Sequence, residues 1–193
     1  MLIIDKEGMV ADPKVEAARA TTIERGPMDK VNGLIVHQTG GGTAASSLSS
    51  YKSASANGAH FLIDKDGKIY QTASIYKQTW HVGKLQSRCV LEKSCSEVDL
   101  KGLKKFNPKR ENDRELEKAV PERYPANVDS IGIEIVGVAV KDVYETVNEK
   151  QNASLVWLVA ELTTTLNVPM TEVFRHPTVS RKNPTEASTA QWQ

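Results

Sequence analysis

The chain has 193 residues, 39% hydrophobic and 25% charged, which supplies the core of one domain, or of one domain with a sizeable insertion. Its 25 basic and 24 acidic residues leave a formal net charge of +1, which excludes a global field favouring nucleic acid, although charges segregated by side would still allow a basic face. No apolar stretch approaches the ~20 residues needed to cross a bilayer, and the opening run Met1-Leu2-Ile3-Ile4 is cut off by Asp5, Lys6 and Glu7, so no Sec signal peptide is visible.

Residues 1–30 are polar, interrupted by Pro13 and Pro27, and read as an N-terminal arm with a short helix over Val15–Ala20; residues 31–193 form the domain proper. Leu34–Thr39, short, continuous and rich in branched residues, is predicted as a buried strand. Gly40-Gly41-Gly42 then breaks the chain, and Thr43 caps a helix expected to run to about Asn57, with Ala44, Leu48, Tyr51 and Ala54 near helical spacing. The glycine triplet lacks the Gly-Lys-Ser/Thr ending of a phosphate loop, so it reads as a flexible turn. Ala59–Ile63 and Lys68–Thr72 flank Asp64-Lys65-Asp66-Gly67, the pattern of a β-hairpin.

From 84 to 129 charges are dense, apolar residues sparse, and Pro108, Pro121 and Pro125 interrupt any long element. The stretch reads as a charged insertion, a lid or docking segment against the alternative of a tolerated surface loop, with helix only over Asp113–Val120. Ser130–Val138 is a strong strand, and Glu134 stands out within it, since a carboxylate in an apolar run is costly unless paired, protonated or used. Thr146-Val147-Asn148-Glu149 matches a capping box opening a helix to about Leu166, with Leu155, Leu158, Val159, Leu162 and Leu166 as its buried stripe. Alternating strands and helices predict an α/β fold: a single domain with a central mixed β-sheet flanked by helices and a charged insertion.

All four histidines, His37, His60, His81 and His176, lie in short patterned segments, which points to a metal-dependent active site, imidazole being the commonest metal ligand and the usual proton carrier near neutral pH. The two cysteines, Cys89 and Cys95, are six positions apart, and a local disulfide, implying an oxidising environment, stands at even odds with two unpaired thiols.

These segments resemble the N-acetylmuramoyl-L-alanine amidase and peptidoglycan-recognition-protein superfamily. Gly33–Thr39 is similar to its first metal-ligand strand, Ala59–Gln71 to its hairpin, Trp80-His81-Val82-Gly83 to its Trp-His-Ala-Gly element, Ser130–Gly137 to its most recognisable strand, and His176 with Lys182 to its second metal-ligand loop. The five matches are collinear over about residues 33–186. The family hydrolyses the amide between N-acetylmuramic acid and L-alanine of peptidoglycan with Zn²⁺, which polarises the carbonyl and acidifies water. The resemblance implies that His37 and His176 bind zinc, that Glu134 is the general base and that Lys182 stabilises the oxyanion. Some members carry a tyrosine just before the hairpin histidine; here that position is Ala59, and members with alanine there rely on the strand glutamate. His81 would line the cleft and touch substrate, or be structural; His60 reads as structural.

The family's third ligand, a cysteine or aspartate, lies two positions after the loop lysine, where this chain has Pro184. Aligning the prolines puts Asn183 there, a poor zinc ligand. Glu186, ten positions after His176, is the candidate taken forward. The resemblance thus implies a zinc amidase acting on peptidoglycan, with a non-catalytic peptidoglycan-binding recognition protein as the alternative. The settings open to it are a cytosolic recycling enzyme, a phage endolysin, or a type VI secretion effector delivered without Sec to the periplasm of a target cell and met there by a cognate immunity protein.

Overall fold

A computed structural model describes all 193 residues. Strand β3 (Gly33–Gly40) and strand β7 (Ser130–Val140) pair in parallel and form the middle of the molecule. Beyond β3 lies β9 (Val173–Arg175), and beyond β7 lies β4 (Phe61–Ile63), both also parallel. The hairpin partner β5 (Ile69–Gln71) returns antiparallel to β4, β1 (Val15–Ala17) runs parallel to β5 at the edge, and β8 (Val143–Tyr144) folds back onto the end of β7. The sheet order is therefore β1-β5-β4-β7-β3-β9. A small antiparallel ribbon joins β2 (Glu24–Pro27) to β6 (Lys77–Thr79).

Period-two alternation decides which face each side chain meets. Leu34 and Val36 of β3 and Ile131, Ile133 and Ile135 of β7 face α5 (Glu149–Leu166), whose Leu155, Leu158, Val159 and Leu162 complete the main core. Ile35 points the other way, into a smaller cluster with Val82, Leu85, Tyr124, Ala126 and Val179. His37 and Glu134 lie on that second side. The mixed α/β sheet flanked by helices is the fold the sequence predicted.

Local expectations need four corrections. Val15–Ala20 contains a strand, because its backbone pairs with Ile69–Gln71. Residues 1–30 also send Leu2, Val10, Val15 and Met28 into the main core. Helix α1 (Ala44–Ser50) is capped by the Thr43 hydroxyl as expected but stops well short of Asn57, followed by turns and by Ser55 at φ 60°. The cap of α5 is Asn148, whose side chain accepts from the Gln151 amide while the Gln151 side chain accepts from the Asn148 amide. Val147 is still extended at that point and its amide bonds Thr189, which moves the capping box two residues along. The hairpin loop spans Asp64 to Lys68, with Gly67 at φ +89°, a conformation that favours glycine.

The insertion departs most from expectation. It holds three short helices, α2 (Arg88–Leu91), α3 (Glu97–Leu103) and α4 (Pro108–Leu116), and Cys89 is disulfide-bonded to Cys95. Several of its charges point inward. Arg88 meets Glu172, just before β9, at 2.8 Å, and Arg123 grips Asp129 through two bonds of 2.8 and 3.2 Å. Asp129 also accepts from Ala126 N and Asn32 Nδ2. Removing one partner of such a buried pair costs about 3–5 kcal/mol, because the other charge is left uncompensated. The insertion is thus bolted to the sheet. No helix is long and apolar enough to cross a membrane.

Candidate active site

His37 lies near the end of β3 and Glu134 is its register partner on β7. His176 begins α6 (His176–Val179), directly after Arg175, which pairs with Val36 of β3. Glu134 is the fifth of the eleven residues of β7, so His37 and Glu134 project from one face of the sheet, with His176 just past the end of β9 beside them. The cleft there has a volume of about 440 Å³.

Hydrogen bonds fix the orientation of both histidines. His176 Nε2 lies 2.8 Å from Val82 O, a pure acceptor, so Nε2 carries the hydrogen and, in the neutral ring, Nδ1 presents a bare lone pair. For His37 the assignment runs through a chain. The Ser130 hydroxyl donates to Ala126 O at 2.6 Å, so Ser130 Oγ and O accept from His81 Nε2 at 3.2 and 3.3 Å. His81 Nδ1 then accepts from His37 Nε2 at 3.0 Å, and His37 Nδ1 is left bare. Burial, with the nearby His176, pushes His37 down to about 4; burial, with His37 and His60 beside it, holds His81 well below the ordinary histidine range. Both rings are neutral at pH 7.

Glu186 completes the group. Its Oε1 lies 2.9 Å from His176 Nδ1 and 3.5 Å from His37 Nδ1. Burial opposes its ionisation, but hydrogen bonding to His176 and then His37 outweighs it and holds the carboxyl at about 2. The loop is secured on both sides: Gln38 Oε1 accepts from Ala187 N at 3.0 Å and Arg175 donates to Ala187 O, while Thr185 and Asn183 side chains donate to Asp142 O in the β7–β8 turn. Three ligand atoms, the Nδ1 atoms of two imidazoles and a carboxylate oxygen, thus face one point, all within 4.8 Å of one another. Tetrahedral zinc with ligands near 2.0–2.1 Å sets its donor atoms about 3.4 Å apart; the set matches that ion in donor type, and the two carboxylate–imidazole separations of 2.9 and 3.5 Å bracket that spacing. Pro184 is exposed, and Asn183 turns its amide to Asp142 while lining the cleft.

Glu134 faces the same cleft. Its Oε2 is buried with no hydrogen-bond partner, and burial, with the charge of Glu186 added, pushes the carboxyl up to about 8. Lys182 is exposed at the rim, near enough to His37 to disfavour a proton there. His81 borders the cleft with both ring nitrogens engaged, by His37 and by Ser130. Gly132 lacks a side chain where one would collide with that ring, 2.7 Å from a Cβ to Nδ1. His60 lies outside the cleft, fully buried between Lys77 O and Gly132 N.

Three aromatic residues of the cleft carried no sequence signal for this role. Tyr51, read there as part of a helical stripe, has its hydroxyl beside the Ala59 backbone and is raised by burial and by Glu134. Tyr144 reaches in from β8, a two-residue strand without a motif. Trp80, quoted only as a neighbour of His81, is 52% exposed at the mouth, with the Arg25 guanidinium 4.6 Å from its ring centroid.

Fold and site together define a cleft α/β protein built around two histidines and a carboxylate placed so that they could hold a metal ion, with a further carboxyl beside them. The sequence profile of the N-acetylmuramoyl-L-alanine amidase family (Amidase_2) matches residues 27–188, and the chain belongs to that family of peptidoglycan amidases. Solved structures with a similar fold include an AmpD derivative (TM-score 0.60, 18% identity, 95% of this chain and 94% of that one). The endolysin amidase LysCS from Clostridium intestinale is similar at TM-score 0.54 and 19% identity, over 88% and 85% of the two chains. The catalytic domain of XlyA gives 0.53 and 19%, over 87% of each. No curated protein matches by sequence.

The buried neutral His60 has a consequence for stability. Burial pushes it down to about 4, with Glu24 as the nearest opposing charge, so its contribution is complete above the unfolded value of 6.5 and is lost as pH falls through about 4. Urea unfolding of metal-free protein should show roughly 2–3 kcal/mol less stability at about pH 4.5 than at about pH 7.5 from this residue alone. His60→Gln should make that slope shallower; an equally steep slope in the variant would remove the assignment.

Proposed function

We propose that the protein is a zinc-dependent hydrolase of the amide between N-acetylmuramic acid and L-alanine in peptidoglycan. The observation that carries this reading is the convergence of His37 Nδ1, His176 Nδ1 and Glu186 Oε1 on one point beside an unpartnered Glu134 oxygen. In the metal-free chain a proton between His176 Nδ1 and Glu186 Oε1 accounts for their 2.9 Å separation, and a bound cation would replace that proton at the same point.

Zinc, when bound there, supplies Lewis acidity to the amide carbonyl and to water. The remaining work falls to side chains of this chain. Water adds to the carbonyl carbon as Glu134 takes its proton. Lys182 offsets the negative charge that gathers on the carbonyl oxygen. The carbon–nitrogen bond then breaks, and Glu134 delivers the proton to the departing nitrogen of L-alanine, leaving a lactyl carboxylic acid and a free amine. Burial and the Glu186 charge hold Glu134 up at about 8 without a cation; the positive charge of a bound cation would favour its ionised, basic form, and the same high value suits it to returning the proton. His81, through Ser130, keeps His37 in the tautomer that offers Nδ1. A recognition module without catalysis would have no use for that unpartnered carboxyl, and Glu186 supplies the third donor that the stretch around Pro184 lacks.

We further propose an oxidising place of work, the periplasm of a target cell, on the strength of the Cys89–Cys95 disulfide. An immunity protein as partner belongs to that setting.

Glu134→Gln should abolish release of stem peptides from purified sacculi, by roughly a thousandfold or more, while zinc content stays at the wild-type level. Retained turnover would remove Glu134 from its role. Glu186→Ala should lower zinc stoichiometry after dialysis, read by metal analysis; an unchanged content would mean a different third ligand. For the compartment, the wild-type chain sent to a bacterial periplasm should lyse its host and Glu134→Gln should not; harmless wild-type protein would count against it.

A further inference from the structure

The segment following Trp80 runs beside the loop that follows α6. Leu85 and Ser180 form an antiparallel bridge, the Ser180 hydroxyl donates to Lys84 O at 2.8 Å, and the Gln86 amide donates to Pro177 O and Thr178 O. This strapping brings Lys84 alongside Arg181 and Lys182. The three line a depression of about 360 Å³ with Ser180 and with Pro108, at the start of α4. The depression shares Lys182 with the active cleft, so the two spaces meet at that residue.

Its charge is unbalanced. No acidic side chain lines it. Arg181 is committed to Glu111 at 2.7 Å and stacks over Phe106 at 4.8 Å, which makes it a fixed wall. Asp113 feels Lys84, but its own partner is Lys109 at 2.6 Å. Lys84 and Lys182 remain as two ammonium groups in one concavity with no carboxylate between them. Their mutual repulsion is relieved by a small anion placed between them, and a neutral group gains nothing there. An excess of two charges, hemmed in by Pro108 and the pinned Arg181, matches one carboxylate rather than an extended polyanion.

We propose that this depression is a subsite for a free carboxylate on the peptide arm of the substrate, and that Lys84 sets the preference for a carboxyl over its amide. This rests on the muramoyl-peptide reading of the cleft: a peptide leaving past Lys182 carries at least its terminal carboxylate into the adjoining space. It gives the insertion, which supplies Pro108 and holds Arg181 through Glu111, a part in choosing substrates.

The test uses two soluble muramoyl-tripeptides, one with its peptide carboxyls free and one with them converted to amides. Both are offered to zinc-loaded wild-type protein, Lys84→Ala and Lys84→Glu. Wild type should favour the free-carboxyl compound through KM, by roughly three- to tenfold, with the preference shrinking as salt is added. Lys84→Ala should remove most of it and Lys84→Glu should abolish or invert it, with kcat and thermal midpoint near wild type, since the side chain is exposed. No preference in wild type, or one that survives in both variants, overturns the proposal. Binding of the two compounds to metal-free protein is measured in parallel by calorimetry. If wild type hydrolyses neither compound, the amidase reading fails by itself. Tighter binding of the free-carboxyl compound, lost in Lys84→Glu, then still upholds the subsite, and equal binding of both overturns it.

Discussion

The register between β3 and β7, which sets His37 directly across from Glu134, is the constraint on which the cleft depends. Because side chains alternate along a strand, a slip of one residue by either strand would turn its His37 or Glu134 into the packing beneath α5 and expose Val36 or Ile133 in its place. That register is secured by the apolar face: Leu34, Val36, Ile131, Ile133 and Ile135 are all fully buried on the α5 side. Hydrophobic burial on one face of the sheet therefore fixes polar chemistry on the other.

Around that pair the structure spends many hydrogen bonds on orientation. His81 has both nitrogens occupied in holding His37, Asn127 holds the backbone of His81 and Val82, and Val82 O in turn holds His176. Gln38, the residue after His37, reaches across to the amide that follows Glu186. Each donor of the cation site is thus steered by a neighbour of another. Coupling of this kind makes the site an all-or-none assembly rather than a sum of independent ligands.

Much of this was legible in the sequence, for identifiable reasons. The continuous branched run Leu34–Thr39 and the apolar run Ser130–Val138 marked the central strands, and a carboxylate amid isoleucines marked Glu134 as a residue with a purpose. Glu186, taken from the family resemblance as the third ligand in place of Pro184, lies beside both histidines. What was illegible depended on partners far away in the chain. Val15–Ala17 is a strand only because Ile69–Gln71 lies next to it. The insertion looked unstructured because its composition is charged, and composition does not distinguish a solvated arginine from Arg88 or Arg123 closed upon a carboxylate. Tyr51 and Tyr144 reach the cleft through chain geometry, one at a helix end and one in a brief return strand, with no local pattern to mark them.

His37 and His176 stand roughly 140 residues apart along the chain, a separation whose closure is entropically costly in an open polymer. Here the pairing of β3 with β9 meets that cost through backbone hydrogen bonds before any ion arrives. The imidazoles are neighbours, ring centres 4.2 Å apart, because the sheet brings their strands together and His81 and Val82 orient their rings. On the proposed reading, a cation would meet a socket already shaped, and its binding energy would go into affinity rather than into gathering distant parts of the polypeptide.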